Sequence, residues 1–180
     1  PKPQNPNELP LKLFVTVIKI MGAKKKAPAK KKAGGKDDEE DITVDQFWKT
    51  YKTKKCPELG VDVLKYIKEK YELYGEEGEK ITKFHIWEEM GWAGTRALMD
   101  SLKAVNYPHC QSIRFWKTYC EDEGVRAICQ FLEIGKPVLF LELLDNRITH
   151  LGCEFIARSL HPKMNPTIQV LKLDHNQFGS

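Results

Sequence analysis

The chain has 180 residues, of which 41% are hydrophobic and 30% charged, and a net charge of +4. Its longest apolar stretch, residues 13–20, is too short for a membrane span and is broken by Lys19. Its five cysteines (Cys56, Cys110, Cys120, Cys129, Cys153) form no Cys-x-x-Cys pair and no usual zinc spacing, which leaves reduced thiols in the cytosol as the expectation.

The positive charge is placed unevenly. Residues 22–36 hold seven lysines and no acid, and residues 37–41 read Asp-Asp-Glu-Glu-Asp. Of 29 basic and 25 acidic residues, those two runs take seven and five, leaving 22 against 20. The basic character therefore belongs to a tail, and the remainder is close to neutral. Met21-Gly22 followed by lysines reads as a natural start, which makes residues 1–20 an upstream extension. Myristoylation of Gly22 is rejected because Lys26 stands where a Ser or Thr belongs.

Lys24, Lys25, Lys26, Lys30, Lys31 and Lys32 lie among Ala, Pro and Gly, a composition too poor in apolar surface to offset chain entropy. Residues 1–42 are accordingly read as an extension plus a disordered basic and acidic tail. Three roles are open to the lysines: a solvated tail, attraction to an acidic polymer such as tubulin tails or nucleic acid, or a nuclear import signal. Of the two polymers, nucleic acid is the less favoured.

Residues 43–79 read as a small helical N-terminal cap. Thr43-Val-Asp-Gln46 fits a capping box that opens a helix carrying Phe47, Trp48 and Tyr51 at helical spacing. A second helix is expected from about Val61 to Tyr74, with Val61, Leu64, Ile67, Lys68 and Tyr71 along one stripe and Gly75 and Gly78 ending it.

From residue 80 a repeat emerges. Its units open Ile81-x-x-Phe84-x-Ile86, Cys110-x-x-Ile113-x-Phe115, Val138-x-x-Leu141-x-Leu143 and Ile168-x-x-Leu171-x-Leu173, spaced 29, 28 and 30 residues apart. Each opening predicts a short strand, and each is followed by a helical stripe: Ala97, Leu98, Leu102 and Val105; Val125, Ile128, Cys129 and Leu132; Cys153, Ile156 and Leu160. Asn146 and Asn176 stand three residues past the last core strand position, where an amide can bond neighbouring backbone across the turn. Glu89 and Thr118 hold that place in the first two units, while Gly124 and Gly152 mark helix starts. The expected fold is α/β: a solenoid of 28–30-residue strand–helix repeats with a curved parallel sheet, over residues 80–180 as four units with the last truncated. Because the chain stops at Ser180 within a repeat signature, it reads as a fragment. An uncapped last strand would need further repeats or another chain, and aggregation in isolation is expected.

The segments 141–152 and 171–179, Leu-Glu-Leu-Leu-Asp-Asn-Arg-Ile-Thr-His-Leu-Gly and Leu-Lys-Leu-Asp-His-Asn-Gln-Phe-Gly, resemble the ribonuclease-inhibitor-like leucine-rich repeats. That resemblance covers roughly residues 81–180. The Lys-rich tail, the Trp/Tyr-containing helix, and degenerate strands with Trp87 and Phe115-Trp116-Lys117 are similar to the ciliary leucine-rich-repeat-containing protein 71 group. The likeness implies a structural component of the ciliary or flagellar axoneme.

Strand residues flanking the buried ones should point to the concave face in three columns. The first is Lys83, Ser112, Phe140 and Val170, the middle one His85, Arg114, Glu142 and Lys172, and the third Trp87, Trp116, Leu144 and Asp174. Trp87, Trp116, Phe140 and Leu144 would form an apolar patch rimmed by Arg114, Glu142 and Lys172, the composition of a protein-docking site. Alternatively the tryptophans pack against the N-terminal helices.

Catalytic signatures are missing from the sequence: it has no Gly-rich phosphate loop, His-Glu-x-x-His or Gly-x-Ser-x-Gly. The histidines fall at repeat-surface or loop positions, and Glu88 and Glu89 should diverge rather than act as an acid pair. Neither cofactor nor metal is expected. The leading expectation is a non-enzymatic scaffold that docks axonemal proteins. A soluble cytosolic or nuclear adaptor is the alternative, and a GTPase regulator acting through Arg147 follows at a distance.

Overall fold

The computed structural model describes residues 37–135, 137–161 and 167–178. The lysines at 24–32 and the expected tail up to residue 36 lie outside them. The fold is mixed α/β, with a four-stranded parallel sheet in the order β1-β2-β3-β4 and helices packed on one side of it.

The first helix, α1 (Asp37–Thr50), begins earlier than expected. Thr43 therefore lies within it and is not its cap, and the acid run is helical. Glu is a good helix former, which suits the acid run to a helix. The helix passes through a π-helical turn at Tyr51–Lys55 into α2 (Cys56–Leu59). Pro57 accounts for the widened turn, because it cannot donate to the carbonyl four residues back and its ring crowds that turn.

After a short connection comes α3 (Lys65–Glu77), displaced about one turn from the expected helix. Leu64, extended at φ −60° and ψ 133°, sits at its N-cap. Gly75 is inside the helix, and it is Gly78 that ends it, with φ 70° and its N–H donating to the Tyr74 carbonyl. That left-handed conformation is one that glycine adopts without steric cost.

Three strand–helix pairs and a last strand follow: β1 (Lys83–Ile86) with α4 (Gly91–Ala104), β2 (Ser112–Trp116) with α5 (Glu121–Leu132), β3 (Phe140–Leu144) with α6 (His150–Ser159), and β4 (Val170–Lys172). Cross-strand register repeats the sequence period. Phe84 pairs with Ile113, Ile113 with Leu141 and Leu141 with Leu171. The apolar triads of the first three units are all buried, with Ile168 buried and Leu171 and Leu173 half-buried in the fourth. Because side chains alternate along a strand, these residues line one face and meet the buried stripes of α4, α5 and α6. In those stripes Val105, Cys153 and Leu160 are only half-buried.

The turns after the strands are held by side-chain amides. Asn146 is buried; its Oδ1 accepts from the Thr118 N–H and hydroxyl at 3.0 and 2.9 Å, and its Nδ2 donates to the Phe115 and Leu144 carbonyls at 2.9 and 3.0 Å. Asn176 does the same one unit on, accepting from the N–H groups of Asn146 and Ile148 and donating to the Leu143 and Leu173 carbonyls. In the first unit Glu89 is exposed, and the turn is tied instead by the Met90 and Gly91 N–H groups donating to the Thr118 carbonyl.

The N-terminal helices close the free edge of β1. Phe47 is fully buried against Tyr51, Phe84 and Tyr107, at ring-centroid distances of 6.0, 6.0 and 5.5 Å. Trp48 stacks on Tyr71 at 4.7 Å. The Tyr66 hydroxyl donates to the Lys83 carbonyl and accepts from the His85 N–H, so one phenol satisfies an edge-strand acceptor and an edge-strand donor. An unpaired strand edge is a template for unwanted pairing, and a covered one is not.

Candidate protein-docking face

The face of the sheet opposite the helices holds the three expected columns. Lys83, Ser112, Phe140 and Val170 are in register, as are His85, Arg114, Glu142 and Lys172, and Trp116 is level with Leu144. Trp87 and Asp174 lie just beyond the ends of β1 and β4.

Both tryptophans are open to solvent, Trp87 at 57% and Trp116 at 47% exposure. The alternative in which they pack under the N-terminal helices is thus corrected: Phe47 and Trp48 of α1, Tyr51 of the π-helical turn and Tyr71 of α3 fill that place. Trp87 meets the edge of the His85 ring at 6.4 Å, with the planes nearly perpendicular.

The charged residues do not rim the patch; they run through it. Along β3 the order is Phe140, Glu142, Leu144, so the middle column separates Phe140 from the Trp87–Trp116–Leu144 column. Glu142 is buried, contrary to its expected place on a rim. Its Oε2 lies 2.8 Å from Arg114 Nε, and its Oε1 lies 3.1 Å from Arg114 Nη2 and 3.3 Å from Lys172 Nζ. A carboxylate withdrawn from water needs such cations beside it, here a hydrogen bond from Arg114 Nη2 to Oε1 and the ion-pair contact of Arg114 Nε with Oε2. At the β1 end of the column, His85 Nε2 is 2.9 Å from Ser112 Oγ. Burial, then the positive charges of Arg114 and Lys83, hold the His85 pKa below its ordinary value. Its neutral form is favoured there.

Two other residues weighed from the sequence, Arg147 and Glu88, find structural partners. The Arg147 guanidinium lies 3.9 Å over the Tyr119 ring, a cation–π contact that holds it on the loop. Glu88 does diverge from Glu89: its carboxylate accepts from the Lys65 and Tyr66 N–H groups and so caps α3. The thiols of Cys56, Cys110, Cys120, Cys129 and Cys153 are all pushed up by burial, that of Cys129 to about 11, the opposite of what activates a nucleophile. Among the described residues no group of three or more His, Cys, Asp or Glu is placed to hold a metal ion, and no helix is long and apolar enough to cross a membrane.

Sequence reasoning missed Asp122, Glu88 and Tyr66. Asp122, in the first turn of α5, accepts from the Thr149 N–H, the Thr149 hydroxyl and the Gly152 N–H at 2.8, 2.7 and 3.0 Å, and so caps α6 of the next unit. The signal was available in the repeat period, which sets Asp122 27 residues before Thr149 and 30 before Gly152. Compared with protein-family models the chain matches none, and no curated protein matches it.

Proposed function

We propose that the chain is a non-enzymatic protein-binding scaffold, a ribonuclease-inhibitor-like leucine-rich-repeat solenoid that docks a neighbour on its concave sheet face. The observation that carries this reading is the exposed pair Trp87 and Trp116 on a face whose other side is fully committed to the core. Tryptophan is among the residues that dominate interface energies, and two of them left half-open in adjacent units cost hydration without serving the core. Recurrence of the strand at 29, 28 and 30 residues in register, with the Asn146 and Asn176 turns, supports the solenoid. The fold alone would host many functions, so it is the site that argues for docking.

We place this scaffold in the ciliary axoneme on the sequence resemblance, with the lysines at 24–32 as a second contact to acidic tubulin tails. Fractionation of ciliated cells into soluble, membrane and salt-washed axonemal pools tests the placement. Retention of the protein on washed axonemes, lost in the Trp116→Ala, Leu144→Ala double variant, is the expected result. A soluble or nuclear pool would replace it with the adaptor reading. Retention unchanged in a correctly folded double variant would remove the docking face from the account.

A further inference from the structure

We propose, on the docking reading above, that the open sheet face takes an extended acidic segment whose carboxylates alternate with bulky apolar side chains. The middle column hides its negative charge and shows its positive charge. Glu142 keeps only 6% of its side chain accessible, while Arg114 and Lys172, which share it, keep 38% and 42%. Two cations are thus opposed by one sequestered carboxylate, and the ammonium of Lys83 in the first column is exposed as well. His85 and Ser112 between them add hydrogen-bonding capacity and no negative charge.

Of the other acids near this face, Glu89 is exposed past Trp87 on the third-column side. Glu88 is turned onto the start of α3, and Asp145 pairs with Lys117 at 3.8 Å. Asp174 closes the third column at its β4 end, away from β1 and β2 where the tryptophans stand. The positive surplus therefore lies in the first two columns, beside the apolar Trp87–Trp116–Leu144 column.

Geometry suits an alternating ligand. Columns on one face of a strand are about 6.6 Å apart, two residues of rise, and adjacent strands are about 4.8 Å apart. A segment laid across the strands puts one set of side chains on the indoles and the other on Arg114, Lys172 and Lys83. Complementary charge of this kind sets orientation and on-rate, while the aromatic anchors hold the complex.

The test uses the full chain and two short synthetic peptides, one alternating Glu with Leu and its analogue with Gln for every Glu. The Glu peptide should bind about tenfold more tightly at low salt and lose that advantage as salt rises. Lys83→Gln with Lys172→Gln should reduce the advantage to about threefold or less. Trp87→Ala with Trp116→Ala should weaken both peptides. Unchanged urea midpoints would establish that these variants fold.

Equal binding of the two peptides overturns the acidic ligand. If the tryptophan variant still weakens both, the docking face survives that result. No binding of the Glu peptide also overturns the proposal, and axonemal retention then judges the docking face separately. Salt-sensitive binding that ignores the two lysine substitutions assigns the attraction to the lysines at 24–32 and overturns it too.

Discussion

Units one and two differ from units three and four in what they do with the same backbone plan. All four share one register, and in the first three the apolar strand triad is buried. Units three and four set asparagines at the turn, and each amide gathers both donors and acceptors from its own and the preceding unit. In units one and two those positions hold Glu89 and Thr118, and Trp87 and Trp116 stand beside them, exposed. The amide-held turns are thus concentrated in one half, and the exposed indoles in the other. Sites that depart from a structural consensus without gaining core contacts are where function is to be sought.

Asn146→Ala probes this difference between the units most severely. It removes the acceptor of the Thr118 N–H and hydroxyl and the side-chain donor to the Phe115 carbonyl at a buried position, while the Leu144 carbonyl keeps the Lys117 N–H. Unsatisfied buried groups are costly, and a loss of about 3 kcal/mol in urea unfolding is expected. A loss under about 1 kcal/mol would mean that the turn is held by its backbone alone and that the two halves do not differ in this way. Next in size is Gly152→Ala. A Cβ there would run into the Ile148 side chain and stand 2.6 Å from Asp122 Oδ1, which caps α6. Overpacking at so tight a contact should cost about 2 kcal/mol by the same measurement. Gly124→Ala, whose Cβ would lie 2.9 Å from Cys120 Cβ and 3.2 Å from Thr95 Cβ, tests whether unit two is packed as closely.

The strand positions and their columns were legible because a period of 28–30 residues fixes register, and register fixes which side chains share a face. Asn146 and Asn176 were legible for the same reason. Interactions that leave one period and end in another element were not. Glu88 capping α3 and Tyr66 bridging the β1 edge are each set by packing between segments 17 or more residues apart, whereas Asp122 capping α6 follows the repeat period and could have been read from it. The helical state of residues 37–41 was missed because an acid run resembles a solvated tail in composition, although Glu is a good helix former. The burial of Glu142 was missed because its alternation is that of any exposed strand residue. Only the two cations on neighbouring strands make a buried carboxylate tolerable there.

Trp87→Ala and Trp116→Ala should separate the halves in the other direction. Each indole is about half in water, so each substitution should change stability by less than about 1 kcal/mol while weakening docking. A larger destabilisation would make the tryptophans part of the fold and remove the contrast.

The smallest expected effect concerns His85, where the two chemistries meet. Its folded-state pKa is lowered by burial and by Arg114 and Lys83, so the native protein binds the proton less readily than the unfolded chain. Stability contributed by the neutral ring is complete above the unfolded value of about 6.5 and is lost as pH falls through it toward the lower folded value. His85→Gln should therefore flatten the dependence of the urea midpoint on pH below about 6.5 and leave it unchanged above. Protonation would also add a cation beside Arg114 and beneath Trp87. Binding of an acidic segment should then strengthen over the same interval in which the fold weakens. If both quantities move together in the wild type and neither moves in His85→Gln, one ring joins the stability of β1 to the docking face. If stability responds and binding does not, the imidazole belongs to the fold alone, and the division between the two halves runs through β1 itself.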